Sequence, residues 1–480
     1  MSVGTFALLL CLAALHPVAG GDFDKWPGNI RVALENTSPL THERGERLPL
    51  YIWPARGAGV LGEADALELV GLLNERGIGL VSIWGGDVEG SLRAGLPVAR
   101  AQKKLGLRIN IEATSLLYSF FNGDPQTAHI DEKGERFFDK SFGKSNMGCA
   151  FGLEARKEPM RARLTPFVER YAKESLPVGF IWTDWEVDGP IEWNEAWSVA
   201  RRCVRCRKEI PDIDTNFLAY QKALREIRSD LQRESYANEI LETFPEALVG
   251  NYAMYPHNGY RYWLDYFEHH VDGQPALRDG RARYRHWYNE FEESGFTYAM
   301  PVLYTWYSGY VDYDFVDTDW RWFYNLLLVA SNAGQHTPME TPIISFVHWH
   351  TTAPPENADP TVKQFSEEKY REFLWHALLR GHDTFFLWGP GNELPRETRL
   401  LHPVWAAAQE YGEFLDNGKP VTFQVPKAPG PVVSGLRLGG RVLVRRTDFT
   451  DARDPVSLRV GVSTVSVPRN PGKCVILKLP

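Results

Sequence analysis

Cysteine, excess basic charge and long apolar runs are all scarce in this sequence of 480 residues. Beyond the N-terminus no segment reaches the roughly 18 consecutive apolar residues that a membrane span needs, so we predict no membrane span. The formal net charge of −8 argues against a nucleic-acid binder, which normally presents a basic face. With 44% hydrophobic residues the chain is not intrinsically disordered and can bury a sizeable core. What is plentiful is tryptophan, with 16 residues.

Residues 1–20 have the pattern of a secretory signal peptide. A short apolar segment runs from Phe6 to Leu15, and Val18-Ala-Gly20 supplies the small residues after which a signal peptidase cuts. We therefore predict cleavage near Gly20 and a secreted or periplasmic protein.

Cleavage there would leave four cysteines, namely Cys149, Cys203, Cys206 and Cys474. That number is too small for a disulfide scaffold, and so large a core does not need one. Cys203-Val-Arg-Cys206 resembles half of a zinc knuckle, but the sequence offers no second C-x-x-C or H-x-x-x-H partner. A disulfide, with Cys149 as a candidate partner, is the favoured interpretation, and a structural zinc site is the alternative.

Short apolar runs, each too short for a helix, alternate along the chain with segments of helical periodicity. The runs cover residues 48–53, 79–84, 107–112, 178–184, 248–254, 297–304, 342–348 and 384–388. The helical segments cover residues 63–76, 92–105, 159–174, 216–233, 320–333, 367–379 and 402–415. This alternation favours parallel β/α units, and eight runs predict an α/β fold of the (β/α)8 TIM-barrel type over residues 48–417. An open doubly wound sheet is the competitor, but no Gly-rich phosphate loop follows the first run.

Two further regions flank the predicted barrel. Residues 21–47 are polar and are predicted to form an N-terminal arm. Residues 418–480 show short alternating strands, predicted over residues 421–425, 441–446, 456–462 and 475–479, with Pro and Gly turns and no helical pattern. We therefore predict a small C-terminal all-β domain, a β-sandwich, over residues 418–480.

The carboxyl ends of the strands are where such barrels build their chemistry. Aromatic rings and carboxylates dominate these ends, and no lysine lies there, which argues against a Schiff-base aldolase. In chain order the residues at these ends are Trp53, Trp84, Glu112, Asp184 with Glu186, Tyr252 with Tyr255, Tyr304, His348 and Trp388. Flat apolar faces between acids suit sugar rings, because rings stack on C–H faces while carboxylates act on hydroxyl groups or on the anomeric carbon.

Asp184 and Glu186 are the most informative pair among these residues. Because they lie two residues apart on a strand, their side chains point to the same side. Two adjacent acids do not readily both ionise, so the pKa of one should rise and make it a proton donor near neutral pH. We predict Glu186 as the donor and Asp184 as its partner. The alternative is that both only order loops or pair with Arg56 or Arg201.

The end of the predicted seventh strand, residues 343–350, carries no carboxylate. This absence counts against the common retaining layout, which places a nucleophilic glutamate there. A D-x-E site can instead use the 2-acetamido oxygen of the substrate as the nucleophile, as substrate-assisted glycosidases do. A glycosidase that pairs Glu186 with Glu112 is the first alternative, and a catalytically inactive glycan-binding barrel is the second.

Four short motifs resemble those of hyaluronidases and related D-x-E glycoside hydrolases that act on N-acetylhexosaminides. The motifs are Asp184-Trp-Glu186, Asn251-Tyr-Ala-Met-Tyr-Pro-His-Asn258, Pro301-Val-Leu-Tyr304 and Leu387-Trp388-Gly389. The resemblance implies that Glu186 is the acid/base and that Asp184 orients the acetamido group. It also implies that Tyr304, with Tyr255 or Tyr252, holds that group, and that Trp388 forms the floor of the subsite.

His348-Trp-His350 has the spacing that some metal-dependent hydrolase barrels use. Those barrels place the pair on the first strand and add acids and histidines on later strands, a pattern that this sequence lacks. We therefore expect no metal and no cofactor, and we predict that His348 binds substrate. Asn194-Glu195 is interpreted as the cap of the next helix. The sequence thus predicts a secreted glycoside hydrolase with a carbohydrate substrate.

Overall fold

A computed structural model gives the structure of the protein. It describes residues 23–117, 123–141, 145–185, 196–258, 270–271, 274–275, 290–306, 317–352, 363–451 and 453–480. The predicted signal peptide and Glu186 lie outside the described residues. Within them, no helix combines the length and the apolar character that a bilayer crossing requires.

The chain is an α/β protein in which parallel strands alternate with helices. Its strands are β1 Leu50–Ile52, β2 Ile78–Gly79, β3 Val81–Ile83, β4 Ile109–Glu112, β5 His129–Ile130, β6 Arg136–Phe137, β7 Val178–Thr183, β8 Leu248–Asn251, β9 His270–Val271, β10 Gln274–Pro275, β11 Val302–Trp306, β12 Ile344–Thr352, β13 Thr384–Leu387, β14 Lys419–Pro420, β15 Val432–Leu438, β16 Arg441–Thr447, β17 Val456–Val460, β18 Ser463–Val467 and β19 Cys474–Lys478. Its helices are Gly28–Glu35, Glu63–Glu75, Val88–Lys104, Thr114–Leu117, Lys157–Lys173, Trp197–Ala200, Val204–Glu209, Phe217–Gln232, Asn238–Leu241, Phe291–Ser294, Thr318–His336, Glu367–Leu378, Leu394–Ala408 and Gly412–Asn417.

Two parallel sheets contain all the apolar runs that the sequence predicts as barrel strands. One sheet has the order β11-β12-β13-β1-β2, and the other has the order β3-β4-β7-β8. Only Leu80 separates β2 from β3, so one stretch of chain continues from the first sheet into the second. The prediction of parallel β/α units is therefore confirmed.

Aromatic side chains of both sheets pack against each other in one core. Tyr51 of β1 stacks on Phe180 of β7, with ring centroids 4.4 Å apart and planes 15° apart. Phe386 of β13 lies 5.5 Å from the ring of Tyr51 and 6.3 Å from that of Phe180. Since β1 and β13 belong to one sheet and β7 to the other, the inner faces of the two sheets share this core.

The helices cover the outer faces of the sheets, as their apolar periodicity predicts. In the helix Glu63–Glu75, Ala66, Leu69, Val70 and Leu73 are buried at spacings of three and four residues. Gly77, two residues after the end of this helix, has φ of +68°, and a Cβ at this position would overlap the ring of Trp405. Glycine is thus required there for both its conformation and its small size.

The N-terminal segment differs from the predicted polar arm. It contains the helix Gly28–Glu35, whose residues Ile30, Ala33 and Leu34 are buried together with Trp26. These residues belong to the apolar core of the parallel sheets, and their helix contacts the helix Leu394–Ala408. The arm is therefore part of the folded α/β unit.

The C-terminal residues form antiparallel strands, in agreement with the predicted all-β texture. Strands β14, β15, β16 and β19 make one sheet in that order, and β17 pairs with β18 in a hairpin. Val442 and Val444 of the sheet pack in one apolar cluster with Leu458 and Val460 of the hairpin. Residues 421–425, predicted as a strand, are not in regular structure, whereas β15 and β18 were not predicted.

Candidate functional site

Five aromatic rings converge where the parallel strands end at their carboxyl side. Phe346 of β12 lies at the centre, with its ring 5.7 Å from that of Trp53, 5.4 Å from that of Trp182, 5.7 Å from that of Tyr252 and 5.4 Å from that of Tyr304. These residues come from five strands or their ends, and we call them the aromatic floor. Of the five, Trp53 is the most exposed, and the others are buried.

Trp388 extends this aromatic surface on the side of β13. Its half-buried ring stacks on Tyr304 at 5.1 Å with an interplanar angle of 24°. The ring of His348 meets it edge-on at 4.7 Å. The chain turns directly afterwards at Gly389, where a Cβ would lie 3.3 Å from the His348 ring. The structure thus brings the rings of Trp388, Tyr304 and His348 into contact.

Asp184 directly follows β7 and lies two residues after Trp182, so the alternation of side chains along a strand predicts the same side of the chain for both. Trp182 is fully buried in the aromatic floor, whereas Asp184 is half-buried. The amide of Asp184 donates a hydrogen bond of 2.8 Å to Thr114 Oγ1. This contact ties the end of β7 to the segment that follows β4.

Glu112 is the buried carboxylate at the end of β4. Its Oε1 accepts a hydrogen bond of 2.8 Å from the amide of Thr114, and its Oε2 lies 3.5 Å from Nε of Arg56. The Arg56 guanidinium also lies over the ring of Trp53, at 4.9 Å. Glu112 is therefore charge-paired beside the aromatic floor, and Arg56, which the sequence offered as a partner of the D-x-E pair, pairs with Glu112.

The chain just before Glu186 is held by the side chain of Asn251. The Asn251 Oδ1 accepts a hydrogen bond of 2.9 Å from the amide of Trp185, and its Nδ2 donates one of 3.1 Å to the Trp185 carbonyl. A second donor, Arg228, reaches the same carbonyl at 3.2 Å. No role for Asn251 was predicted from the sequence, although a polar residue within the apolar run of β8 indicates a buried side chain that needs hydrogen-bond partners.

A cluster of two histidines and two glutamates lies beside Trp388, and we call it the histidine–glutamate cluster. It consists of His348, His350, Glu393 and Glu397. His348 Nε2 lies 2.9 Å from Glu393 Oε2, and His350 Nδ1 lies 2.7 Å from Glu397 Oε1. Both glutamates follow β13, so acids from a distant segment meet the histidines of β12. Neither Glu393 nor Glu397 was predicted from the sequence as a site residue.

Burial and charge act on the two histidines in opposite directions. Burial lowers the pKa of His348 to about 4, so its imidazole is neutral near neutral pH. The pKa of His350 is raised, chiefly by its hydrogen bond to Glu397. A neutral ring can both donate and accept a hydrogen bond, which suits His348 for binding a hydroxyl group.

The ligand atoms of this cluster all lie within 4.8 Å of one another, a spacing that could hold a metal ion. The expectation of no metal here rested on missing acids, and the structure supplies two. However, Glu397 Oε1 also accepts hydrogen bonds from the amides of Trp349 and His350, at 3.0 and 2.9 Å. These bonds account for the position of the Glu397 carboxylate without a cation.

Trp84 and Tyr255 do not lie at the aromatic floor. The ring of Trp84 is fully buried between β3 and a helix, 5.1 Å from Phe167 and 5.2 Å from Tyr171. Its flat faces are therefore occupied by protein, which differs from the predicted stacking role. Tyr255 is buried in the same apolar cluster as Trp84, whereas Tyr252 is buried in the cluster that contains the other rings of the aromatic floor. Of the two tyrosines after β8, Tyr252 is therefore the one that lies in the floor.

A cavity of about 720 Å³ opens at the opposite end of the strands. It is lined by residues that precede or begin β1, β2 and β4, among them Pro49, Ile78 and Arg108. Parallel α/β proteins place their chemistry at the carboxyl ends of the strands. We therefore assign the candidate site to the aromatic floor and not to this cavity.

Comparison with known proteins gives no match to a family model and none to a curated protein. Among solved structures, the chain is similar to the GH36 α-galactosidase AgaA from Geobacillus stearothermophilus, with 12% identity and a TM-score of 0.45 over 94% of this chain and 58% of that one. It is also similar to α-L-fucosidase isoenzyme 1 from Paenibacillus thiaminolyticus, with 11% identity and a TM-score of 0.37 over 86% of this chain and 84% of that one. A β-galactosidase from the haloarchaeon Halorubrum lacusprofundi has 15% identity and a TM-score of 0.45, over 78% of this chain and 59% of that one.

The chain thus spans less than two thirds of the length of both galactosidases. All three similar structures are glycoside hydrolases, and the hyaluronidase resemblance remains a prediction from the motifs. At these TM-scores the similarities do not assign an activity to this chain.

Proposed function

We propose that the protein is a secreted glycoside hydrolase built on a closed (β/α)8 barrel. Closure is supported at the edge where β8 approaches the segment before β11. There the amide of Thr297 donates to the Val249 carbonyl at 2.9 Å, and the amide of Met300 donates to the Met254 carbonyl at 2.8 Å. With the continuous course of β2 and β3, these bonds link both edges of the two parallel sheets.

The observation that carries the proposal is the aromatic floor at the carboxyl end of β7, the strand that leads directly into Asp184. Trp182 lies in the floor, and the period of two along a strand predicts from the sequence that Asp184 and Glu186 follow it on the same side of the chain. Half-buried Trp53 and Trp388 border the same surface and offer ring faces to the C–H faces of a sugar. A carboxylate pair over such a surface suits glycosidic bond hydrolysis.

In the proposed mechanism Glu186 protonates the glycosidic oxygen as the bond to the anomeric carbon breaks. The 2-acetamido oxygen of an N-acetylhexosamine attacks the same carbon, and Asp184 orients the acetamido N–H and stabilises the positive charge. The Glu186 carboxylate then takes a proton from water, which opens the oxazolinium ring at the anomeric carbon and retains the configuration. Tyr304 and Tyr252 would hold the acetamido group, and His348 would bind a hydroxyl group.

The pairing of Glu112 with Arg56 bears on the two-carboxylate alternative. Both carboxylate oxygens of Glu112 already contact protein groups, one the amide of Thr114 and the other the guanidinium of Arg56. Glu112 therefore suits the binding of a sugar hydroxyl group better than nucleophilic attack, and we place it among the substrate-binding residues.

Hydrolysis of N-acetylhexosaminides by Glu186 and Asp184 variants tests this proposal. Activity is measured on para-nitrophenyl N-acetylhexosaminides of both anomers and on a polysaccharide panel. Glu186→Gln should lower kcat by about 100- to 10,000-fold, the usual contribution of general acid catalysis, while glycan binding is retained. Exposed Glu410 gives the matched control, since Glu410→Gln removes the same charge far from the floor.

Two outcomes would count against the proposal at different levels. Full activity in Glu186→Gln, or no hydrolysis of any glycan by the parent protein, would contradict the assigned acid or the enzyme class. Hydrolysis that depends on Glu186 but is unaffected by a thiazoline analogue of N-acetylhexosamine would contradict only substrate assistance. In that case Glu112→Gln would show whether Glu112 is the second carboxylate.

A further inference from the structure

Three cysteines and a histidine from three separate segments meet in the protein interior. They are His129 of β5, Cys149, which precedes a 3₁₀ helix, and Cys203 and Cys206 at the start of the helix Val204–Glu209. All four are buried, with His129 2% exposed and the cysteines 0% exposed. We call these four residues the Cys3His cluster.

The distances within the cluster fit metal coordination and not a disulfide. Cys149 Sγ lies 3.5 Å from Cys206 Sγ and 3.8 Å from Cys203 Sγ. A disulfide would require about 2.05 Å between sulfur atoms. Two thiolates on a tetrahedral zinc ion with Zn–S bonds of about 2.3 Å lie about 3.8 Å apart. The four ligand atoms all lie within 4.8 Å of one another.

Among the described residues outside the cluster, the ring nitrogens of His129 have no hydrogen-bond partner. Apart from the approach of its ring to Cys203, neither Nδ1 nor Nε2 has a hydrogen-bond partner in the part of the chain that the structure describes. Its ring stacks on Phe137 of the neighbouring strand at 5.1 Å, which fixes its orientation. A buried imidazole that lacks partners is unfavourable unless it binds something.

The local backbone is shaped to bring the ligands together. The amide of Cys149 donates a hydrogen bond of 2.7 Å to the carbonyl of Thr127, two residues before His129. Gly148 and Gly152 flank Cys149, and a Cβ at either position would lie 2.6 or 3.1 Å from that same carbonyl. These glycines let the Cys149 segment lie directly against the His129 segment.

We propose that His129, Cys149, Cys203 and Cys206 bind one structural zinc ion. Three thiolates and one imidazole complete a tetrahedral site, and such closed, buried sites have no open position for substrate. His129 and Cys149 lie between β4 and the helix Lys157–Lys173, whereas Cys203 and Cys206 follow β7. The ion would therefore tie together two neighbouring loops at the carboxyl ends of the strands, one of which contains Glu186. This proposal does not depend on the proposed glycosidase activity.

Metal analysis of the full chain tests the zinc site. Zinc is quantified by inductively coupled plasma mass spectrometry after any affinity tag is removed, and we expect one zinc per chain. Cys203→Ser and His129→Ala should each lose most of this zinc. Cys474→Ser is the matched control, because Cys474 lies in the C-terminal sheet, away from the cluster, and this variant should keep one zinc.

A second measurement covers the case in which these variants fail to fold. The parent protein is exchanged into Co²⁺, and a tetrahedral thiolate site should give an intense sulfur-to-cobalt charge-transfer band. Absence of that band, or a zinc-free folded protein in which intact mass shows a disulfide among the three cysteines, would overturn the proposal. Zinc that persists in Cys203→Ser but is lost in Glu397→Gln would place the ion at the histidine–glutamate cluster instead and would equally overturn it.

Discussion

At the scale of single residues, Asn251 controls the backbone that leads into the proposed catalytic acid. Its side-chain amide makes two hydrogen bonds to the backbone of Trp185, and it is fully buried. An amide side chain is suited to this task because it donates and accepts at once. Trp185 directly precedes Glu186 in the sequence, so these bonds fix the backbone at the last described residue before the proposed acid.

Replacement of Asn251 by alanine should therefore affect both stability and turnover. Loss of the side chain leaves the buried N–H and C=O of Trp185 with fewer partners, which lowers the free energy of unfolding by about 1–3 kcal/mol. Urea denaturation measures this change in stability. In the same variant kcat should fall more than KM rises, because the proposed acid is misplaced and not removed. Asn417→Ala, at an exposed amide, should change stability by less than about 0.5 kcal/mol. An Asn251→Ala enzyme with unchanged kcat would contradict the positioning role.

The residues of the site differ in how well the sequence reveals them. Trp53, Tyr304, His348 and Trp388 were predicted because each is the last residue of an apolar run, and such runs mark the buried parallel strands. Glu397 was not predicted, because it contacts His350 from the helix after β13, and only the tertiary fold brings these two residues together. A buried acid on the apolar side of that helix was the available signal. Cys149 was predicted as a partner of Cys203 and Cys206, although in a disulfide, whereas His129 was not predicted, because only the tertiary fold brings it to the cysteines.

At the scale of elements, the C-terminal sheet is joined to the helix Glu367–Leu378 by buried polar contacts. Glu372 of the helix accepts hydrogen bonds of 2.5 Å from Arg445 and 2.6 Å from Thr447, both on β16. His376 of the same helix contacts Ser434 of β15 at 2.7 Å. Charged groups buried in this way fix the position of the sheet on the α/β unit.

Glu372→Gln should therefore destabilise the protein strongly. It leaves the buried guanidinium of Arg445 without its counter-charge, and breaking a buried ion pair from one side costs about 3–5 kcal/mol. The free energy of unfolding from guanidinium chloride titration measures the loss. Glu368→Gln on the exposed face of the same helix serves as the control and should change it by less than about 0.5 kcal/mol. Equal stability of both variants would show that the contact contributes little.

Strands and helices could be predicted from the sequence where their burial determines the pattern of apolar residues. Parallel strands buried on both faces appear as continuous apolar runs, and all eight runs coincide with strands of the parallel sheets. The strands β15 and β18 were missed because serines, glycine and arginine interrupt their apolar residues. The helix Gly28–Glu35 was missed because only a narrow stripe of it is apolar, and its stability comes from packing on the rest of the chain.

At the scale of the whole molecule, the interior holds an unusual set of neutral histidines. Burial lowers the pKa of His348, His382 and His402 each to about 4 and that of His376 well below its ordinary value. In the unfolded chain a histidine has a pKa of about 6.5 and takes up its proton near that pH. The unfolded state therefore binds more protons than the folded state in the range below that pH.

This difference predicts a steep loss of stability in mild acid. As the pH falls from about 6.5 toward about 4, the free energy of unfolding should decrease by about 1.4 kcal/mol per pH unit for each of these histidines. The buried Asp383 opposes the trend at the acidic end of this range, because its pKa is raised and the folded state then holds its proton more tightly. Urea titrations at a series of pH values measure the slope.

A single variant can assign part of that slope to one residue. His402 Nε2 lies 2.9 Å from the carbonyl oxygen of Arg76, and a glutamine amide can donate to the same oxygen without titrating. His402→Gln should therefore reduce the slope by about 1.4 kcal/mol per pH unit and leave stability near neutral pH similar. His336→Gln, at an exposed position on the helix Thr318–His336, should leave the slope as it is in the parent. Identical slopes in the parent and in His402→Gln would mean that the buried ring takes up its proton in the folded protein, and that burial does not keep it neutral.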